Sequence, residues 1–391
     1  MIDDAFQIAT SQQGAAPTSF RVQHLIDPCV CIRCNTCEET CPKSAISHDD
    51  NNYVVDADLC NHCKACVAPC PTGAVDCWQK VINPYSLASQ LSWTDLPEPI
   101  TSATANPKAV SDQLHNSLIT TPIVQVFGRS DPAVATVITN QPATRSKAHE
   151  VRHIVLDFGT QSMPIMEGQS IGILAPGVDH RGLAHIERLY SVASARGGEV
   201  EGTNTFALTV KRITSGTCSN YLCNARVGDK VRVVGPFGAT FLLPQNPQAN
   251  LLMVCTGTGV APFRGFLQQR LRSMRDAQGE LMMFYGGRTA KELPYFGRQE
   301  SLPAGFLDHH ICFSREPGLP RLYVQDRMRV SSDRIQKMLM APETHIFICG
   351  RKGLETGVED AIDDILKNCG SPWLHQREVM QKQGRFHVET Y

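Results

Sequence analysis

Cys31-Ile32-Arg33-Cys34-Asn35-Thr36-Cys37-Glu38-Glu39-Thr40-Cys41-Pro42 and its echo Cys60-Asn61-His62-Cys63-Lys64-Ala65-Cys66-Val67-Ala68-Pro69-Cys70-Pro71 decide how the N-terminal part of this chain folds. Three thiolates at this spacing lie on a loop that can wrap one cubane, each taking a separate iron. The fourth cysteine points away toward a second cubane, and the proline turns the chain outward. The spacing therefore predicts two [4Fe-4S] clusters, one on Cys31, Cys34, Cys37 and Cys70 and the other on Cys60, Cys63, Cys66 and Cys41. A zinc site is the alternative, but tetrahedral zinc favours two separated cysteine pairs over a triplet run.

The echo continues past the ligands, from Cys-Pro-Lys-Ser-Ala-Ile at 41–46 to Cys-Pro-Thr-Gly-Ala-Val at 70–75. Each half is expected to give a short strand, a cluster loop and a short helix. So small a unit has little core of its own, so the clusters must hold it together. The chain has sixteen cysteines in all. Disulfide frameworks belong to short secreted chains, whereas cluster thiolates need a reducing compartment, which predicts the cytoplasm. Cys29 and Cys77 lie outside both runs and read as packing or spare thiols.

With 391 residues, the chain is long enough for several domains, and its 42% hydrophobic content can fill ordinary cores. The net charge of −1 gives no hint of a nucleic-acid or acidic-membrane partner. No apolar run is long enough to span a bilayer, and no basic-apolar leader opens the chain. Residues 1–20 read as a flexible tail and 83–118, with Pro84, Pro97, Pro99 and Pro107, as a linker. Leu91, Trp93 and Leu96 are apolar enough to place part of that linker on a domain surface. Between 119 and 246, β-branched or alternating runs at 123–127, 133–139, 151–158, 189–193, 205–211 and 230–234 predict a small antiparallel barrel. From 247 to 391, apolar runs at 251–255, 281–285, 307–313 and 345–349 alternate with helical stretches, predicting a parallel α/β sheet.

Two strings in the barrel region carry chemistry. In Arg188-Leu189-Tyr190-Ser191, alternate residues share a face, so Arg188 and Tyr190 point one way and Leu189 and Ser191 the other. An arginine fork suits a diphosphate, an aromatic suits a ring, and a hydroxyl can bond a ring nitrogen. Gly216-Thr217-Cys218-Ser219 opens a helix whose unpaired N–H groups suit a phosphate, although a plain helix cap would look the same. With these strings, residues from about 120 to 391 resemble the ferredoxin–NADP⁺ reductase family. The resemblance implies an FAD site on Arg188, Leu189, Tyr190, Ser191, Thr217, Cys218 and Ser219, with the Ser191 hydroxyl near the reactive flavin nitrogen. The chain departs from the plant-type pattern between Arg212 and Cys218, where it is shorter and lacks the aromatic that stacks on the adenine.

Further on, Cys255-Thr256-Gly257-Thr258-Gly259-Val260-Ala261-Pro262 follows an apolar strand and starts a helix, letting the backbone approach a diphosphate. Ser314-Arg315 ends a later strand, and Arg321-Leu322-Tyr323-Val324-Gln325 follows. Arginines and a serine near a strand end can bind a phosphate monoester, and a tyrosine can stack on adenine. An NAD site would place an acid against the ribose, so NADPH is expected. The reductase resemblance adds Thr256, Thr258 and Gly350 to the nucleotide site. It places Cys349 by the nicotinamide, Tyr391 flat on the flavin until nicotinamide displaces it, and Glu389 beside them. Ser191, Cys349, Glu389 and Tyr391 are thus the expected catalytic residues. Glu150-x-x-His153 matches one carboxylate di-iron pair, but such a site needs two pairs on facing helices, so it reads as a decoy.

The expected architecture is multidomain α+β and α/β: a two-[4Fe-4S] ferredoxin domain (21–82), an antiparallel β-barrel FAD domain and a parallel α/β NADP-binding domain. That order is similar to the reductase components of benzoyl-CoA 2,3-epoxidases from aerobic benzoate-degrading bacteria. The likeness implies electron flow from NADPH through FAD and the clusters to a separate oxygenase subunit that epoxidises benzoyl-CoA. A general NADPH–ferredoxin oxidoreductase and a non-catalytic electron carrier are the competing classes; intact Ser191, Cys349 and Tyr391 argue against the second.

Overall fold

The computed structural model describes residues 21–67, 69–81, 83–97, 120–179, 182–274, 277–296, 302–367 and 372–391. The segment read as a tail and the second part of that read as a linker lie outside them. In the N-terminal unit, Arg21–Leu25 pairs antiparallel with Cys77–Val81, and Ile46–His48 with Tyr53–Val55. Ile26, Ile46, Val55, Ala74 and Val75 form its small core, with Cys37, Cys66 and Cys70 built into it. Among the described residues the expected helix forms in the first half, at Thr36–Glu39, while turns occupy 65–67 in the second. Residues 85–97, inside the segment read as linker, are laced onto this unit by amides. The Gln90 side chain pairs with both the N–H and the C=O of Val55, each at 3.0 Å. Asn52 donates to the carbonyls of Leu91 (3.0 Å) and Trp93 (2.7 Å), and Gln79 to that of Pro97 (2.9 Å). Helix Leu87–Leu91, capped by Ser86, is held there.

The middle unit is a six-stranded antiparallel sheet in the order Arg188–Ser191, Ser170–Leu174, Lys230–Phe237, Ala133–Pro142, Val151–Asp157, Thr205–Lys211. A bridge between Val192 and Leu208 draws its two ends together into a barrel. Ser170–Leu174 is a strand that the alternation did not reveal. Ile123–Phe127 is not one: it is a connector whose Gln125 and Phe127 N–H groups bond Pro236 and Gly235. The C-terminal unit is a five-stranded parallel sheet ordered Asp308–Phe313, Leu281–Gly287, Asn250–Thr256, Thr344–Gly350, Phe386–Thr390. Its central strands are buried throughout, as helix-covered parallel strands must be. The last strand adds a fifth to the four that the sequence predicts.

Helix Val260–Ser273 fastens this sheet to the barrel. Gly265 packs so closely on Ser194 that an added Cβ would stand 2.8 Å from its carbonyl oxygen. Beside it, Arg264 grips both Glu199 oxygens at 2.6 and 2.7 Å and the Ala193 carbonyl at 2.7 Å. Burial would raise the Glu199 carboxyl, but hydrogen bonds from His153 and Arg264 hold it down at about 2. His153 of the decoy pair is thus spent on Glu199, while Glu150 bonds Arg152 and Arg212.

Candidate functional site

One cavity of about 1670 Å³ runs along the junction of all three units. A pocket for one small ligand measures about 300–1,000 Å³, so this one has room for two. The barrel contributes Arg188, Leu189, Tyr190 and Ser191, all four of which line it. This strand stands at one end of the sheet order, next to Ser170–Leu174. Tyr190 reaches back to the Cys218 thiol, which donates to the Ile173 carbonyl, so the two anchor the strand against the helix start.

That helix, Thr217–Asn224, is preceded by Gly216 and has no side-chain cap, leaving first-turn N–H groups for an anion at the cavity wall. Thr217 is exposed there. The Ser219 hydroxyl instead serves the turn, accepting from Ile213 N–H at 3.1 Å and donating to the Gly216 carbonyl at 3.2 Å. These features fit a flavin dinucleotide. His149, Lys211 and Arg288 also line the cavity and were missed, since lone polar residues on separate elements carry no spacing signal.

On the nucleotide side, Thr256, Gly257 and Thr258 line the cavity where a parallel strand passes into a helix. Gly257 has φ 57°, and Gly259 packs on the Cys349 carbonyl with no space for a Cβ. Ser314, Arg315, Tyr323 and Gln325 converge on the same space, as a phosphorylated ribose and adenine would require. Arg321 stays exposed outside the wall. Arg351 and Lys352, not foreseen, add two cations at the wall.

Tyr391 lines the cavity with its hydroxyl 2.7 Å from that of Thr258, while its N–H donates to the Gly350 carbonyl at 2.9 Å. Cys349 is fully buried and does not line the cavity. It pairs in register with Glu389, and Tyr391 lies near enough to interact with it electrostatically. Burial pushes the Glu389 carboxyl up to about 8, so it holds a proton at neutral pH.

The eight cysteines separate into two sets. Cys70 acts electrostatically on Cys31, Cys34 and Cys37, whereas Cys41 acts on Cys60 and Cys66. The second set, with Cys63, also lines a small cavity of its own. The fourth cysteine of each run therefore crosses to the other set, which suits two cubanes. Cys29 donates to the Thr94 carbonyl at 2.9 Å and Cys77 to that of Ala74 at 3.5 Å, so each thiol is engaged with backbone outside the two runs.

Family models match three stretches: a 4Fe-4S dicluster domain at 30–74, an oxidoreductase FAD-binding domain at 143–241 and an oxidoreductase NAD-binding domain at 253–360. The chain is 33% identical over 316 residues to a ferredoxin–NADP reductase of Synechocystis sp., covering 74% of this chain and 76% of that one. A ferredoxin–NADP reductase of Spirulina sp. is 32% identical over 288 residues, covering 68% of this chain and 98% of its own length. The fold is also that of the ferredoxin-NADP⁺ reductase from Plasmodium falciparum (TM-score 0.54, 21% identity, 69% of this chain and 100% of that one).

Proposed function

The chain belongs to the ferredoxin–NADP reductase family, and from that premise we propose that it passes electrons from NADPH through FAD and two [4Fe-4S] clusters to a separate oxygenase that epoxidises benzoyl-CoA. Its coarser function follows from the family and the domains: an NAD(P)H-dependent flavin reductase joined to a 4Fe-4S domain. FAD supplies the exchange of one hydride for two single electrons, which an iron–sulfur cluster cannot perform.

The chain's part is to hold and to orient. Arg188 and the open first turn at Thr217 would take the diphosphate, and Tyr190 and Ser191 the ring. Ser314, Arg315, Tyr323 and Gln325, with Arg321 at the margin, would take the phosphorylated adenosine of NADPH, and Thr256 and Thr258 its diphosphate. Tyr391 guards the buried Cys349, and its displacement would admit nicotinamide to near-attack geometry. Glu389 keeps a proton beside that position at neutral pH. Cluster thiolates favour the cytoplasm. Among the described residues no helix is long and apolar enough to cross a membrane.

One observation carries this reading: a single cavity reaches the nucleotide loop, the flavin strand and the loop of Cys31. The reductases it resembles are named for ferredoxin, and this chain carries a ferredoxin-type unit of its own, so its outside acceptor stands one step further on. Domain order supports an oxygenase acting on benzoyl-CoA. The test is anaerobic reduction with NADPH, followed by oxygenated mixing with the oxygenase, with and without benzoyl-CoA. Reoxidation matched by loss of benzoyl-CoA is expected. Equal reoxidation by unrelated ferredoxins and oxygenases would favour the general NADPH–ferredoxin oxidoreductase instead.

A further inference from the structure

We infer that the Cys31–Cys34–Cys37–Cys70 quartet is the entry point for electrons from the flavin, and the Cys41–Cys60–Cys63–Cys66 quartet the outer one from which they leave. This rests on the proposed function, since it takes the two quartets as cluster sites.

Two separate segments of the first quartet face the reductase. Val30, Cys31 and Ile32 line the large cavity together with Arg188–Ser191, and so do Pro71 and Thr72, which follow Cys70. Pro71 lies beside Gly238, and Gly73 sits so tightly on the Phe237 ring and the Gln125 amide that an added Cβ would stand 2.7 and 2.9 Å from them. An ion pair fixes the contact: Arg129 of the barrel reaches Asp27 at 3.4 Å and Glu187, the neighbour of Arg188, at 2.6 Å. Asp27 in turn accepts the Cys29 N–H at 2.9 Å, at the root of the Cys31 loop.

Among the described residues the second quartet shows none of these contacts. Every residue lining its small cavity, including Pro42, Lys43, Asn61 and Lys64, belongs to the N-terminal unit.

Electrons balance along this route. The hydride taken from NADPH carries two, leaving NADP⁺. The first quartet accepts them singly, each reducing one cluster by one electron, and hands the first on to the second quartet before the next arrives. The flavin's proton passes to water.

Two measurements test the order in the anaerobic holoprotein. The first needs no turnover. Ile32→Trp should shift the flavin absorbance and quench its fluorescence, whereas Asn61→Trp, at the matching place in the second half, should leave both as in the parent. Equal effects, or the reverse, would overturn the assignment. In the second, dithionite and NADPH are compared by electron paramagnetic resonance. Cys63→Ala should keep rapid NADPH-driven reduction of its remaining cluster. Cys34→Ala should lose it, although dithionite still reduces the cluster that remains. The opposite pattern would make the outer quartet the entry. A parent with fewer than eight irons, or flavin that NADPH does not reduce, would instead sink the functional reading itself.

Discussion

Arg33 and His62, Asn35 and Lys64, and Ser44 and Gly73 hold matching places in the two halves of the cysteine duplication. All six have left-handed backbones, with φ of 57° and 57°, 64° and 60°, and 49° and 71°. The main chain is thus repeated where it wraps the thiols. The surroundings are not. The quartet that faces the reductase is flanked by Ile32, Thr72 and Gly73, whereas the other is flanked by Asn61, Lys43 and Ser44. Wrapping a cluster fixes the backbone, and the neighbours of that backbone decide whether it is an inner wall or an outer surface.

The largest effect expected from breaking this contrast comes at Gly73. Gly73→Val drives a branched side chain into Phe237 and Gln125 and should cost about 1–3 kcal/mol by overpacking, with about 1–2 kcal/mol more for left-handed strain. Urea unfolding measures the loss, and faster proteolysis between the N-terminal unit and the barrel should accompany it. A variant as stable and protease-resistant as the parent would mean that the two units do not meet there.

Next is Arg129→Ala, which leaves Asp27 and Glu187 without their cation. A fully buried pair would lose about 3–5 kcal/mol, but 49% of the Arg129 side chain is exposed, so about 1–2 kcal/mol is expected. Flavin-to-cluster electron transfer should slow while NADPH-to-flavin transfer keeps its rate; slowing of both would mean that Arg129 acts on the barrel alone.

On the outer side, Trp78 stacks on His24 at 4.2 Å and donates to Asp76 at 2.6 Å. Trp78→Phe keeps the stack and removes one hydrogen bond, for about 1 kcal/mol. The melting temperature should fall slightly, with no change in the flavin spectrum; a shifted spectrum would place Trp78 on the wrong side. Smallest is Ser44→Gly, which copies the residue beside the inner quartet into its matching place beside the outer one. Relief of left-handed strain offsets the added chain entropy, so stability should stay within about 1 kcal/mol of the parent. A large loss would show that Ser44 makes contacts its partner position lacks.

What the sequence disclosed depended on how local the cause was. Cysteine spacing is set by a loop closing around one group, so each triplet run stands out within a single stretch, whereas the fourth cysteine of each set comes from the other run. Thr256–Pro262 was legible for the same reason, because a strand, a tight turn and a helix follow one another. Arg129 was not, since its partners lie 102 and 58 residues away and nothing in Gly128-Arg129-Ser130 announces them. Gln90 and Asn52 sit in polar stretches that composition assigns to solvent, yet both saturate buried backbone groups. Ser170–Leu174 is buried on both faces and so shows no alternation. Resemblance places Cys349 beside the nicotinamide, but only the register of the last strand sets it opposite Glu389.

The six left-handed residues have a consequence for oxygen. Each non-glycine among them costs about 1–2 kcal/mol, a strain that metal bound at the proposed cluster sites would help the N-terminal unit to bear. That same unit supplies part of the wall around the flavin strand. A chain starved of iron would therefore lose its electron outlet and its shield at once. Dissolved oxygen would then have a freer path to the flavin strand, so on the proposed function the unit that carries electrons out would also screen the place they come from.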